Sequence, residues 1–92
     1  SDVYKRQVQE NDRISSLSLS PNPAQNELRV ELGRLGRGIP ATLRIFDATG
    51  RQVHQEAMSN PVTRVDVSTL QGLLLVTVEQ GGKRWMGKVV VQ

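Results

Sequence analysis

Side chains able to do acid, base or nucleophilic chemistry are few in this sequence. His54 is the only histidine, cysteine is absent, and nine acidic residues are spread over 92 positions. A Ser–His–Asp constellation needs an imidazole set between a hydroxyl and a carboxylate. The serines here fall in alternating or turn-forming stretches, with no nucleophile-elbow motif around them. His54 stands between Val53 and Gln55, with Gln52 and Glu56 at even spacing, which predicts an exposed residue on the polar face of a strand. One histidine, no cysteine and scattered carboxylates supply no closed metal-ligand set. The residues thus point away from an enzyme, and to no metal or cofactor.

Two further stretches invite a ligand reading. Gly33-Arg34-Leu35-Gly36-Arg37-Gly38 has the glycines of a phosphate loop, but it lacks the Lys-Ser/Thr ending and leads through Pro40 into a strand rather than a helix. It reads as a mobile loop carrying two surface arginines. Trp85 shares its alternation with Gly87, Val89 and Val91, which predicts a core aromatic rather than a sugar-stacking platform.

The net charge of +3 raises nucleic acid as a partner. Arg29, Arg44, Arg51 and Arg64 are far apart, each with an acid nearby, and the aromatics are only Tyr4, Phe46 and Trp85. A single-strand binder interleaves a basic groove with aromatic platforms, so the charge is read as solvation. No apolar run approaches the ~20 residues of a membrane span.

The elements that would position these residues are short strands. Residues 1–13 are polar and mixed in charge, as in a linker joining this domain to a preceding part of a longer chain. From residue 14 to 92, alternating runs are punctuated by turn signals. Ile14 to Leu19 ends at Pro21-Asn22-Pro23, and Leu28, Val30 and Leu32 alternate with charged residues. Leu43 and Ile45 point inward from a third run that closes at Asp47-Ala48-Thr49-Gly50. A weaker run sets Val53, Gln55 and Ala57 on one face, and Val65 and Val67 mark the next. Leu73 to Glu79 is apolar on both faces for most of its length, as in a central strand, and turns at Gly81-Gly82 into the closing run. Seven one-sided strands without helical periodicity predict an all-β fold, a small immunoglobulin-like antiparallel β-sandwich, with a barrel as the alternative.

The punctuation also resembles a known family, the C-terminal sorting domain of the type IX secretion system of Bacteroidetes. Leu17-Ser18-Leu19-Ser20-Pro21-Asn22-Pro23-Ala24 is similar to its opening, and Arg44-Ile45-Phe46-Asp47-Ala48-Thr49-Gly50-Arg51-Gln52-Val53 to its central segment. Val65 to Leu70 followed by Gly72-Leu73-Leu74-Leu75-Val76 resembles its later strand pair, and Lys88-Val89-Val90-Val91-Gln92 its basic-then-apolar ending. Leu74 stands where the family commonly has Tyr, and Gln71 alone separates Leu70 from Gly72 where two residues are common.

The resemblance implies an address label that takes a parent protein through the periplasm and the outer-membrane translocon to the cell surface or beyond. It implies the translocon and its shuttle proteins as partners. In most members it also implies a sortase-like cysteine peptidase that cuts before the domain and joins the cargo to anionic lipopolysaccharide; other members keep the domain in a surface attachment machinery. Lys88, Val89, Val90, Val91 and Gln92 are the expected recognition tail, whose backbone a receptor could pair by strand addition. Pro21, Asn22, Pro23, Asp47, Gly50, Arg51 and Gly72 are the expected structural motif positions. A different class, an adhesive or carbohydrate-binding immunoglobulin-like module, requires an exposed Trp85.

Overall fold

Strands with one apolar side bury it against one another, and two stacked sheets achieve this for all of them at once. The computed structural model describes residues 14–33, 35–36 and 39–92, so the expected linker and the loop arginines Arg34 and Arg37 lie outside the described residues. Its strands are β1 (Ile14–Ser16), β2 (Ser18–Ser20), β3 (Glu27–Glu31), β4 (Ala41–Phe46), β5 (Gln52–Met58), β6 (Val62–Asp66), β7 (Gly72–Gln80) and β8 (Lys83–Val91). One sheet has the order β1-β8-β7-β4-β5 and the other β2-β3-β6. The all-β sandwich expected from the alternation is the fold, with no helix among the described residues.

The first expected strand is split between the sheets. β1 pairs with β8, the chain bends at Leu17, and β2 pairs with β3 in the other sheet. Leu17 still donates its N–H to the Met86 carbonyl at 3.1 Å, so the bend keeps its hydrogen bond. β1 and β8 run parallel, as does the isolated bridge of Ala24 to Val91, a departure from the antiparallel pairing that the alternation suggested. Parallel pairing cannot arise from a hairpin and needs a long crossover; here the whole domain intervenes between first and last strands.

Leu28, Val30, Leu32, Leu43, Ile45, Val65 and Val67 are buried, as their alternation requires. Trp85 joins them at 7% exposure with Val89 and Val91. β7 lies between β8 and β4 and has Leu74, Val76 and Val78 in the core. The expected faces of β5 are corrected. The register pairs Ile45 with His54 but Phe46 with Gln52, so Val53 is an extra, bulged residue. Beyond the bulge His54, Glu56 and Met58 lie opposite Ile45, Leu43 and Ala41 on the core side, while Gln55 and Ala57 face solvent. His54 is therefore half-buried rather than exposed, with Nε2 2.8 Å from Glu56 Oε1. β5 is an edge of the wider sheet, which lets its inward side carry polar groups.

The glycine loop is anchored where its residues are described. Gln80, buried at the end of β7, accepts the Gly36 N–H at 2.8 Å and donates through Nε2 to the Gly36 and Ile39 carbonyls at 2.9 Å. A Cβ at Gly36 would stand 3.1 Å from Gln80 Oε1, so glycine permits this close approach. The clamp satisfies three loop backbone groups at once.

Candidate functional site

Four segments singled out in the sequence converge on one end of the five-stranded sheet. The first is the β4–β5 turn. The Asp47 carbonyl accepts the Gly50 N–H at 2.9 Å, and its Oδ1 accepts the Thr49 N–H, the Thr49 hydroxyl and the Arg51 N–H. Gly50 has φ of 88°, a conformation that costs glycine nothing. Arg51 Nε stands 3.4 Å from the other carboxylate oxygen. The Thr49 side-chain hydrogen bond, helped by backbone donors and the Arg51 charge, holds the Asp47 pKa below its ordinary value. The Ser68 side chain and backbone do the same for Asp66.

These shifts have a definite sign. A carboxylate whose pKa is lower folded than unfolded stabilises fully above the unfolded value of about 3.9 and loses that contribution as pH falls through the folded value. Urea midpoints are thus expected to fall on acidification below about pH 4, and to fall less steeply in Asp47→Asn, which keeps the turn's acceptor oxygen but has no charge to lose. Parallel acid profiles for the two chains would show that the turn is not linked to protonation.

Gly72, with φ of 88°, opens β7 opposite Val91 of β8. The expected recognition tail divides by alternation. Val89 and Val91 are core residues, while Lys88, Val90 and Gln92 face solvent, Val90 at 39% exposure. Nor is the tail an open edge. On the side away from β7, Asn22 Oδ1 accepts the Val90 N–H at 3.3 Å and Ala24 donates its N–H to the Val90 carbonyl at 2.8 Å. Gln92 N–H returns to the Ala24 carbonyl at 2.8 Å. The Pro21-Asn22-Pro23 stretch stops the first strand, as expected, and then lays Asn22 and Ala24 along the last one. Strand addition at Val90 is closed in this fold, because both of its backbone groups already have partners, and the Gln92 N–H is taken as well.

What the tail does present is a set of side chains. On the outer face of the sheet Leu73 lies opposite Val90 and Leu75 opposite Lys88, with Phe46 opposite Leu75 on the other flank. Phe46, Leu73, Leu75 and Lys88 line a mainly apolar groove of about 450 Å³, closed at one end by the Asp47–Gly50 turn. Leu73 is 47% exposed, unusual for a leucine in a central strand. Phe46, Leu73 and Leu75 were not singled out from the sequence, although the two-sided apolar pattern of β7 carried the signal. An outer position that keeps a leucine is not explained by the core.

The chain matches the family model described as "Secretion system C-terminal sorting domain" over residues 18–92. It belongs to this family. No curated protein matches the chain significantly. The match spans all four converging segments, from Ser18 in β2 to Gln92. A sorting domain of this kind is a signal for type IX secretion and marks its parent for export to the cell surface or extracellular space. The family is a sorting-signal family, not an enzyme family. The buried Trp85 of this sorting domain offers no exposed ring for a sugar to stack on.

Proposed function

We propose that the type IX translocon and its shuttle proteins read this domain through the outward side chains of its closing strand, Lys88, Val90 and Gln92, with the groove of Phe46, Leu73 and Leu75 beside them. The observation that carries the reading is that alternation spends Val89 and Val91 on the core, while Lys88 lines an apolar groove and Val90 faces outward opposite Leu73 of that groove. In this reading the parent passes through the periplasm folded. A sortase-like cysteine peptidase then cuts within residues 1–13 and joins the cargo to anionic lipopolysaccharide, or the domain is kept as part of a surface attachment machinery. Pro21, Asn22, Pro23, Asp47, Gly50, Arg51 and Gly72 serve the fold: they shape the turns and the edge that hold the tail in place.

The test is a parent protein carrying Lys88→Glu with Val90→Glu. Both side chains are exposed, so the urea midpoint is expected to move by no more than about 1 kcal/mol in stability terms. Surface delivery, measured by protease accessibility on intact cells, is expected to drop at least about tenfold, since reversing one charge and burying another against apolar surface costs well over the ~1.4 kcal/mol that a tenfold effect needs. Normal delivery of a folded double variant would overturn the assignment of these side chains.

A further inference from the structure

The geometry points to the outer edge of β5 as a self-complementary surface that pairs, antiparallel and about Gln55, with the same edge of a second copy of this chain. The edge can be read from the hydrogen-bond ladder. Asn22 and Ala24 take the N–H and C=O of Val90, so those of Val89 and Val91 turn toward β7. Carried across the registers of β7 and β4, the same alternation points Leu43 and Ile45 at β5, where Glu56 and His54 answer them. The N–H and C=O of Gln55 and Ala57 are left on the outer edge, and among the described residues β5 ends the sheet order there.

Side chains then choose the occupant and the register. With the two Gln55 residues opposite one another, each exchanges both backbone bonds with its mate, and Ala57 opposes Val53 of the second copy. His54 then opposes Glu56 of the second copy, and Glu56 opposes His54, on the same side of the joined sheet. Centring on His54 would set imidazole against imidazole, and centring on Glu56 would set carboxylate against carboxylate. Like charges directly opposite destabilise a strand pair, and unlike ones favour it. β5 carries neither lysine nor proline, residues that blunt an edge.

The β6 edge of the other sheet fails the same test. In β6 the bonds from Leu32 N–H to the Pro61 carbonyl and from Val67 N–H to the Asn26 carbonyl turn Val62, Arg64 and Asp66 outward. A two-fold pairing at the middle of β6 sets Arg64 against Arg64. Of β5 and β6, β5 is the edge built to meet itself. The two-fold axis of such a pair is perpendicular to the sheet, so both outer faces look the same way.

Single-cysteine variants of the 92-residue chain test this cleanly, because the natural sequence has none. Opposed residues in a hydrogen-bonded antiparallel pair have Cα atoms about 5.5 Å apart, inside the roughly 4.4–6.8 Å that a disulfide spans. Gln55→Cys is expected to oxidise to a covalent dimer at least about tenfold faster than Ser59→Cys, exposed in the connection that follows β5 and outside any strand, a rate that reports pairing even when the dimer is weak. Adding Glu56→Lys to Gln55→Cys is expected to abolish most of that advantage, and adding His54→Glu as well to restore it. Urea midpoints confirm that each variant is folded. Equal rates for the two cysteines, or a Gln55→Cys rate indifferent to both charge changes, would overturn the proposal.

Discussion

Deleting residues 88–92 is expected to unfold the domain as well as to stop export. The segment reads in sequence like a detachable tag, yet it is the second half of β8, paired with β7 from Gly72 to Leu75. Val89 and Val91 are at most 2% exposed, and burying a valine is worth about 1.5–3 kcal/mol. The deletion also strands Ala24 and Asn22, whose partners are Val90 and Gln92. Together these losses reach about 5 kcal/mol or more, the whole stability of many small domains. Trp85 reports the outcome: its ring is buried in the intact chain, so the truncated chain should show red-shifted emission and lose its cooperative urea transition. A truncated chain with native emission and a midpoint within about 1 kcal/mol of the full one would mean that the tail carries no structural load. An export defect on truncation therefore has two causes, and only the outward double variant isolates recognition.

The parts of this fold that depend on near neighbours were legible in the sequence. Leu28, Val30 and Leu32 announce an inward side by period two, and the Asp47 turn is written in four consecutive residues. The polar and apolar positions around Trp85 assign its ring to the core. What escaped depends on groups far apart in the chain. Asn22 and Val90 are 68 residues apart, and no local pattern says that the stretch ending the first strand becomes the edge partner of the last. The Gln80 clamp joins residues 44 apart and looks, in sequence, like one polar residue before a hairpin. One bulged residue, Val53, reversed the sides of β5, because a period of two has no memory beyond an insertion.

The expected recognition tail shows the same division. The inward side of Lys88-Val89-Val90-Val91-Gln92 was legible, because Val89 and Val91 share their alternation with the core residue Trp85. The groove beside the tail needs Phe46 from β4 and Leu73 and Leu75 from β7, brought together only by strand order. Strand order is a tertiary property, and the alternation of single strands does not encode it.

Gly87→Val is expected to be the most damaging point substitution near the tail, costing about 3 kcal/mol through overpacking. Gly87 lies on β8 beneath the bend where the chain passes from β1 to β2, and the two leucines of that bend sit over it. A Cβ built there would meet Leu19 Cδ1 at 2.9 Å and Leu17 Cβ at 3.2 Å. The two contacts differ in kind. Leu19 Cδ1 is the far end of a side chain that can rotate away, so Gly87→Ala should cost only about 1 kcal/mol. Leu17 Cβ is fixed to the backbone at the bend, and valine's branched carbons would press on it, with a bond from Leu17 N–H to Met86 resisting retreat. For a domain of this size, about 3 kcal/mol lowers the melting temperature by roughly 12–24 °C. A double-mutant cycle locates the clash: Leu19→Ala should recover part of the loss in Gly87→Ala and little of that in Gly87→Val. If both glycine variants melt within about 2 °C of the natural chain, well below the shift expected for even 1 kcal/mol, the bend does not rest on β8, and the close packing that lets one strand serve both sheets is not what holds the tail in place.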